Sequence, residues 1–278
     1  MKLSVDRALQ PGGILVLNAD DGYVVAAARA ATTPIWWFSL DANSLQIRAS
    51  REAKIPCGWL QDGEIRLFDG VHTRGLINAD AIPITLSGVA RYNVLNALAA
   101  ALASRALGIG DDAIARALAE FRSDPVDNPG RCNEFAFNGA RVFVDFAHNP
   151  HSIAAVTGAL GAVAARRRFV LIGHAGDRSD QDIRDLTAGA FAMNPDVVMA
   201  VENAAYLRGR PMGEIPRLIE ETCLARGMAA DQVLFAGSPA EGAAQILQLL
   251  EPGDLALLLV HAERDRIFAM LAPQPRRN

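Results

Sequence analysis

From residue 130 onward, short apolar runs alternate with longer mixed ones, and this alternation limits the possible folds more than any other feature. Runs at 142–145, 169–172, 197–201, 233–235 and 255–260 have the length and Val, Ile, Leu and Phe content of buried strands. Segments 152–164, 180–192, 214–225, 239–250 and 264–271 read as helices. Strand–helix alternation with short connections imposes right-handed crossovers. The expectation is an α/β chain whose C-terminal part is Rossmann-like, with a mostly parallel sheet covered on both faces.

The entry to that region is the stretch 130–150, GRCNEFAFNGARVFVDFAHNP. Asn138-Gly139 signals a tight hairpin between runs 132–137 and 140–145. Asp145 ends the second run, and Phe146-Ala147-His148-Asn149-Pro150 leads into a helix. Polar groups at the C-terminal end of such a strand sit where open α/β sheets bind ligands. Arg131, Asp145, His148 and Asn149 are the first functional candidates. A helix cap with Pro at the first helical position accounts for Asn149 and Pro150. It leaves Asp145 and His148 unexplained.

Three further strand ends fall on the same rim. Gly173 to Arg178 (GHAGDR) has glycines that let backbone approach a ligand, with Asp177 and Arg178 adding charge. A turn with an Asp–Arg pair is the commoner reading of those letters. Glu202 to Arg210 (ENAAYLRGR) offers Glu202, Arg208 and Arg210, whose guanidinium groups suit a carboxylate or phosphate. A solvated loop with a surface ion pair is the alternative. His261-Ala262-Glu263-Arg264 follows the last strand, where a lone histidine is more often structural. Convergence on one rim carries more weight than any single stretch.

Residues 1–87 read as strands with short helices: strand candidates at 14–17, 35–39, 45–49, 59–60, 64–68 and 82–86, and a helix at 23–31. The spacing predicts a long helix over 88–107, with Val89, Asn93, Asn96, Ala100 and Ala103 on one face. An Asn pair there suits either the edge of an adenine or hydrogen bonds to neighbouring loops. A second helix spans 111–121 with Asp111 as its expected N-cap. The Pro- and Asp-rich segment 124–129 marks a boundary, giving expected domains 1–125 and 126–278. The tail 273–278 reads as loose.

Composition removes several classes. The net charge of −4 argues against a nucleic-acid footprint. No apolar run is long enough for a membrane-spanning helix, and the N-terminus lacks a signal-peptide layout. Cys57, Cys132 and Cys223 have no CxxC spacing, so zinc and disulfides are poor expectations and a cytoplasmic setting is expected. No GxSxG, metal-spaced His pair or strand-borne GxGxxG is present. Only Lys2 and Lys54 are lysines among 27 basic residues, the rest being arginine.

Six motifs, in order over nearly the whole chain, resemble the Mur ligase family on its cyanophycin-synthetase-like side. They are Leu17-Asn18-Ala19-Asp20-Asp21, GVARYNVLNALAA at 88–100, Gly130-Arg131, DFAHNP at 145–150, Gly176-Asp177-Arg178 and Leu207-Arg208-Gly209-Arg210. The resemblance implies a partial central ATP-binding domain followed by a Rossmann-like C-terminal domain. It implies ATP and Mg2+ as cofactors, with an acyl phosphate attacked by an amine to form an amide. By motif, Asn93 and Asn96 would meet adenine, Arg131 the phosphates and Asp145 the ribose, with His148 and Asn149 beside them. Gly176, Asp177, Arg178, Arg208 and Arg210 would face the amino-acid substrate. The family's P-loop, Gly-rich and ending in Lys-Ser/Thr, has no counterpart in these 278 residues, and Tyr92 stands where several relatives carry histidine. The resemblance therefore implies that the P-loop half and the Mg2+ ligands lie outside these residues. A chain carrying that half is then the expected partner, and a homo-oligomer is compatible. The competing expectation is a nucleotide- or amino-acid-binding or scaffold module without chemistry.

Overall fold

The computed structural model describes residues 8–126 and 128–272, and the elements below belong to those residues. The expected loose tail at 273–278 lies outside them. The chain divides into two compact units, the first ending at Arg122 and the second starting at Ser123.

In the first unit, β1 (Leu15–Asn18), β2 (Ile35–Ser39) and β3 (Cys57–Gln61) run parallel, and β4 (Glu64–Phe68) and β5 (Thr73–Asn78) continue the sheet antiparallel, in the order β1-β2-β3-β4-β5. Helix α1 (Gly22–Ala28) starts at Asp21, whose carboxylate accepts the Tyr23 and Val24 amides. Helix α3 (Arg91–Ala106) buries Val94, Ala97, Leu98, Ala101 and Leu102 in a core shared with Ile65 and Leu67. Ile114 and Leu118 of α4 (Asp111–Glu120) complete it.

Three local expectations are corrected. Residues 45–49 belong to helix α2 (Leu45–Glu52). Leu45, Ile47 and Ala49 read as an alternating strand, but Ser44 accepts the Ile47 amide as N-cap, and the buried positions are Ile47 and Ser50, three apart. Segment 82–86 forms a 3-10 turn at Pro83–Thr85, because Pro83 donates no ladder bond and Leu86 and Ser87 are left-handed (φ 52° and 58°). The cap of α4 is Gly110; Asp111 is the first helical residue and pairs with Arg105 at 2.9 Å.

The second unit follows the alternation closely. A hairpin of β6 (Asn133–Phe137) and β7 (Ala140–Asp145) turns at Asn138 (φ 50°) and Gly139 (φ 79°). Positive φ at both residues is what a type I′ turn requires. Then come α5 (Pro150–Gly161), β8 (Arg168–Ile172), α6 (Asp180–Ala190), β9 (Val197–Val201), α7 (Glu214–Ala225), β10 (Val233–Ala236), α8 (Pro239–Leu249), β11 (Leu255–Leu259) and α9 (Arg264–Leu271). The sheet order is β10-β9-β8-β11-β7-β6, all parallel except the outer β6. β11 inserts between β7 and β8, and every one of its residues is buried. Alternate strand residues such as Val144, Leu171, Met199 and Leu258 share a core with Ala243 and Ile246 of α8 and Ile267 of α9. Helices α5, α6 and α7 pack on one another in sequence. The C-terminal ends of β7, β8, β9 and β11 therefore lie side by side.

Candidate functional site

The loop before β6 folds over the end of β7. Gly130 (φ 74°) donates to Asn133 Oδ1 at 2.6 Å and accepts the Phe146 amide at 2.9 Å. Asn133, fully buried, donates to the Ser123 and Asn128 carbonyls, both at 2.9 Å. This fold brings the Cys132 amide to Asp145 Oδ2 at 2.8 Å, and the Ala147 amide reaches Oδ1 at 2.6 Å. Burial raises the Asp145 carboxyl above the usual carboxylate range, opposed by those two amides and by the charges of Arg131 and His148. Arg131 itself is exposed.

Asn149 caps α5. Its side chain accepts the Ser152 amide, Ser152 Oγ faces the Asn149 amide, and Pro150 takes the first turn. His148 points out of this cap, with Nδ1 3.0 Å from the Phe146 carbonyl. Its ring centroid lies 5.3 Å from Phe146 and 6.4 Å from His261.

The β8 and β9 loops interlock. The Gly176 amide donates to the Tyr206 carbonyl at 2.8 Å, and a Cβ on Gly176 would stand 1.9 Å from the Leu207 carbonyl oxygen. Only glycine allows that approach. Arg210 spends its guanidinium inside the protein: Nε reaches the Gly176 carbonyl (3.0 Å), Nη2 the Arg178 carbonyl (2.6 Å), and Nη1 Glu214 (2.5 Å) and Asp180 (2.8 Å). Glu202 is buried and accepts the Asn203 and Gly213 amides, which ties both ends of the β9 loop. Arg178 donates to the His148 carbonyl at 2.6 Å, and Arg208 lies over the Tyr206 ring at 5.6 Å.

These loops enclose a cleft of about 220 Å³. The β7 loop supplies Phe146 and His148, the β8 loop His174, Asp177 and Arg178, the β9 loop Tyr206 and Arg208, and β11 is followed by His261. His174 is completely enclosed; burial, then the charges of His261 and Arg178, lower its pKa to about 3. Wider hollows of about 600 Å³ beside Arg105 and about 370 Å³ beside Met212 gather no comparable set of strand-end polar groups.

Of the residues singled out in the sequence, His148, Asp177, Arg178 and Arg208 line the cleft; Asp145, which ends β7, and Arg131, whose charge acts on it, are not among the lining residues. Asn149, Gly176 and Arg210 shape its walls. Asn93 and Asn96 lie in the first unit, on the outer face of α3; Asn93 donates to the Ile84 carbonyl (2.6 Å) and Asn96 to Asn93 (3.1 Å). The sequence pattern alone does not single out His174, Tyr206 or Phe146, and it reads His261 as structural. Their placement directly after β7, β8, β9 and β11 was the available signal. Among the described residues, no group of three or more His, Cys, Asp or Glu side chains is gathered to hold a metal ion. No helix among them is long and apolar enough to cross a membrane.

Residues 130–259 match the family model "Mur ligase, glutamate ligase domain". A cyanophycin synthetase from Nostoc sp. (strain PCC 7120) is 32% identical over 79% of this chain, which spans 24% of that relative's length. A UDP-N-acetylmuramate–L-alanine ligase from Roseiflexus sp. (strain RS-1) is 35% identical over 67% of the chain and 38% of its own length. The MurF ligase from Thermotoga maritima, solved in complex with ADP, has the same fold at 18% identity, with a TM-score of 0.57 over 97% of this chain and 55% of its own. Residues 130–259 thus match a Mur ligase glutamate ligase domain, and over most of its length the chain is similar to part of cyanophycin synthetases and Mur ligases.

Proposed function

We propose that this chain contributes the amino-acid side and part of the nucleotide side of an ATP-dependent ligase of cyanophycin-synthetase type, which joins an acid to an amino acid. The supporting observation is the cleft itself. Two arginines, three imidazoles and one carboxylate converge at the C-terminal rim of a parallel sheet, in a domain whose relatives are amide-forming ligases. In such a reaction the acid takes the γ-phosphoryl group of ATP and ADP leaves. The amine of the incoming amino acid then attacks the acyl phosphate, forming the amide and releasing phosphate. Positioning and charge neutralisation dominate phosphoryl transfer.

Arg178 and Arg208 are the cations for the amino acid's carboxylate, and Asp177 is the group for its ammonium. Arg210 and Gly176 hold these two loops together. Asp145 takes the ribose hydroxyls, Arg131 meets phosphate oxygens, and His148 and Asn149 border both. The adenine role of Asn93 and Asn96 concerns the first unit and is tested separately with Asn93→Ala. Among the described residues, the donors around this cleft do not fit a magnesium ion.

Calorimetry with ATP or ADP tests the reading, with and without aspartate or arginine. Saturable nucleotide binding that weakens in Asp145→Ala supports it. No binding at millimolar nucleotide refutes it. The 278 residues alone are expected to release no ADP from ATP, because they contain no phosphate-cradling glycine loop. Amino-acid-dependent ADP formation by the pure protein would contradict that division of labour. Binding without turnover, even when a P-loop-bearing chain is added, would favour a binding module.

A further inference from the structure

His261 lies two residues beyond the end of β11, the strand between β7 and β8. Its Nε2 is 2.9 Å from the Ala147 carbonyl, and the Gly173 carbonyl faces the ring as a second acceptor that favours its charged form. The side chain thus bonds the β7 loop and borders the β8 loop. Both partners are acceptors, and a neutral imidazole carries a single N–H. It can donate to one carbonyl while the other faces a ring lone pair. An imidazolium donates to both.

Which form is present depends on the surrounding charges. His148 faces the ring from the β7 loop, and Phe146 meets it edge-on at 5.3 Å. The β8 loop brings His174, Asp177 and Arg178, and the β9 loop brings Tyr206 and Arg208. Two permanent cations against one carboxylate make the surroundings hostile to a further positive charge. Burial first, then His148 and Arg178, hold the ring's pKa below the ordinary histidine value, against the pull of the two carbonyls.

We propose that His261 is the positioning residue of the cleft, and that an oxyanion bound there draws a proton from solvent onto its ring, completing the second carbonyl bond and fixing the β7 and β8 loops around the ligand. This rests on the reading of the cleft as a ligand site. An anion beside Arg178 and Arg208 cancels the charge that disfavours the imidazolium. The sign follows by linkage. Affinity for the anion rises as pH falls through the ring's pKa in the bound state, and levels off below its lower value in the free state. Each anion takes up a fraction of one proton between those limits.

The 278-residue protein is titrated calorimetrically at about pH 6.5 with inorganic phosphate and separately with aspartate, each in two buffers of different ionisation enthalpy. The two arms tell a phosphate site from a carboxylate site. Fractional proton uptake is expected with whichever anion binds. In His261→Gln, which offers an N–H but cannot titrate, uptake should vanish and affinity should fall several-fold. His148→Gln should retain uptake. Binding without uptake overturns the proposal, as does uptake that survives His261→Gln and disappears in His148→Gln. Should neither anion bind, the cleft reading fails, and NMR titration of the His261 ring in the free protein still decides the clasp. A ring that protonates below the ordinary histidine value, with the 146–148 and 173–176 amides sharpening as it does, supports it. A ring at the ordinary value with unresponsive amides overturns it. His261→Asn serves as the second variant if His261→Gln fails to fold.

Discussion

Replacing Gly176 and Gly158 with alanine should move the stability of the second unit in opposite directions. On Gly176 the new methyl would stand 1.9 Å from the Leu207 carbonyl oxygen. An ordinary C···O contact needs about 3.3 Å, so the two loops must separate by about 1.4 Å. That separation strains the 2.8 Å bond from the Gly176 amide to Tyr206 and the 3.0 Å bond from Arg210 to the Gly176 carbonyl. Overpacking costs roughly 1–3 kcal/mol and each lost hydrogen bond about 1 kcal/mol, so with both bonds lost a cost of roughly 3–5 kcal/mol is expected. Gly158 is an exposed position in α5, and a methyl there would meet nothing within 4 Å. Gly158→Ala removes a flexible residue from a helix and should add roughly 0.5–1 kcal/mol. The assay is amide exchange in β8 and β9 through a urea series. The three tryptophans, Trp36, Trp37 and Trp59, all lie in the first unit, so their fluorescence serves as the internal control and should not move. An unchanged second unit in Gly176→Ala would refute the interlock of the two loops. A destabilised Gly158→Ala would refute the open surroundings of α5.

Three further outcomes are expected. Arg210→Lys keeps the charge but not the fork that reaches Gly176, Arg178, Asp180 and Glu214; amide protection at 176–178 should drop by roughly 1–3 kcal/mol, and equal protection would sink the clamp. Asp145→Asn replaces one acceptor of the Cys132 and Ala147 amides with a donor. It should weaken ADP binding by roughly tenfold or more in calorimetry, whereas unchanged affinity would remove the ribose role. His174 has a folded-state pKa of about 3, lowered from 6.5 chiefly by burial. A depressed histidine contributes stability that is fully present above the unfolded value and is lost as pH falls, by about 1.4 kcal/mol per pH unit over that window. In acid titrations of the second unit, His174→Gln should flatten this slope; a slope equal to the parent's would show that another group carries it.

The second unit was legible in the sequence because its inner strands, β7, β8, β9 and β11, are almost wholly buried and so stand out as apolar runs. β11, Leu-Ala-Leu-Leu-Leu, is the extreme case, flanked by parallel partners and wholly buried. The first unit offered weaker cues. β5, Thr-Arg-Gly-Leu-Ile-Asn, carries no clear strand pattern: four of its six residues are exposed, it lies at the sheet edge, and Gly75 interrupts it. Its pairing partner β4 supplies what its own pattern lacks. The 45–49 error has the opposite origin, since five residues of apparent alternation were outweighed by one Ser44 cap and by the helix-favouring residues that follow.

The rim of the site was legible for a topological reason, because parallel strands deliver all their C-terminal ends to one edge. The roles of the polar groups on that rim were not, because they depend on partners far away in sequence. Arg208 and Arg210 are two residues apart and chemically identical. Arg210 is anchored by carbonyls 32 and 34 residues upstream, while Arg208, left-handed at φ 52°, is turned onto Tyr206 at the cleft. Likewise Asn149 satisfies the first turn of α5 and leaves the neighbouring His148 to face the cleft. The side chains that could bind a ligand are those whose neighbours have already satisfied the backbone. A search for function along this rim therefore proceeds by subtraction: account for every donor and acceptor that the fold consumes, and weigh the cations and imidazoles that remain. Here that remainder is Arg208 and the ring or guanidinium nitrogens that Arg178, His148 and His261 keep beyond their single carbonyl bonds, facing one carboxylate, Asp177, in the cleft, a set suited to an anion.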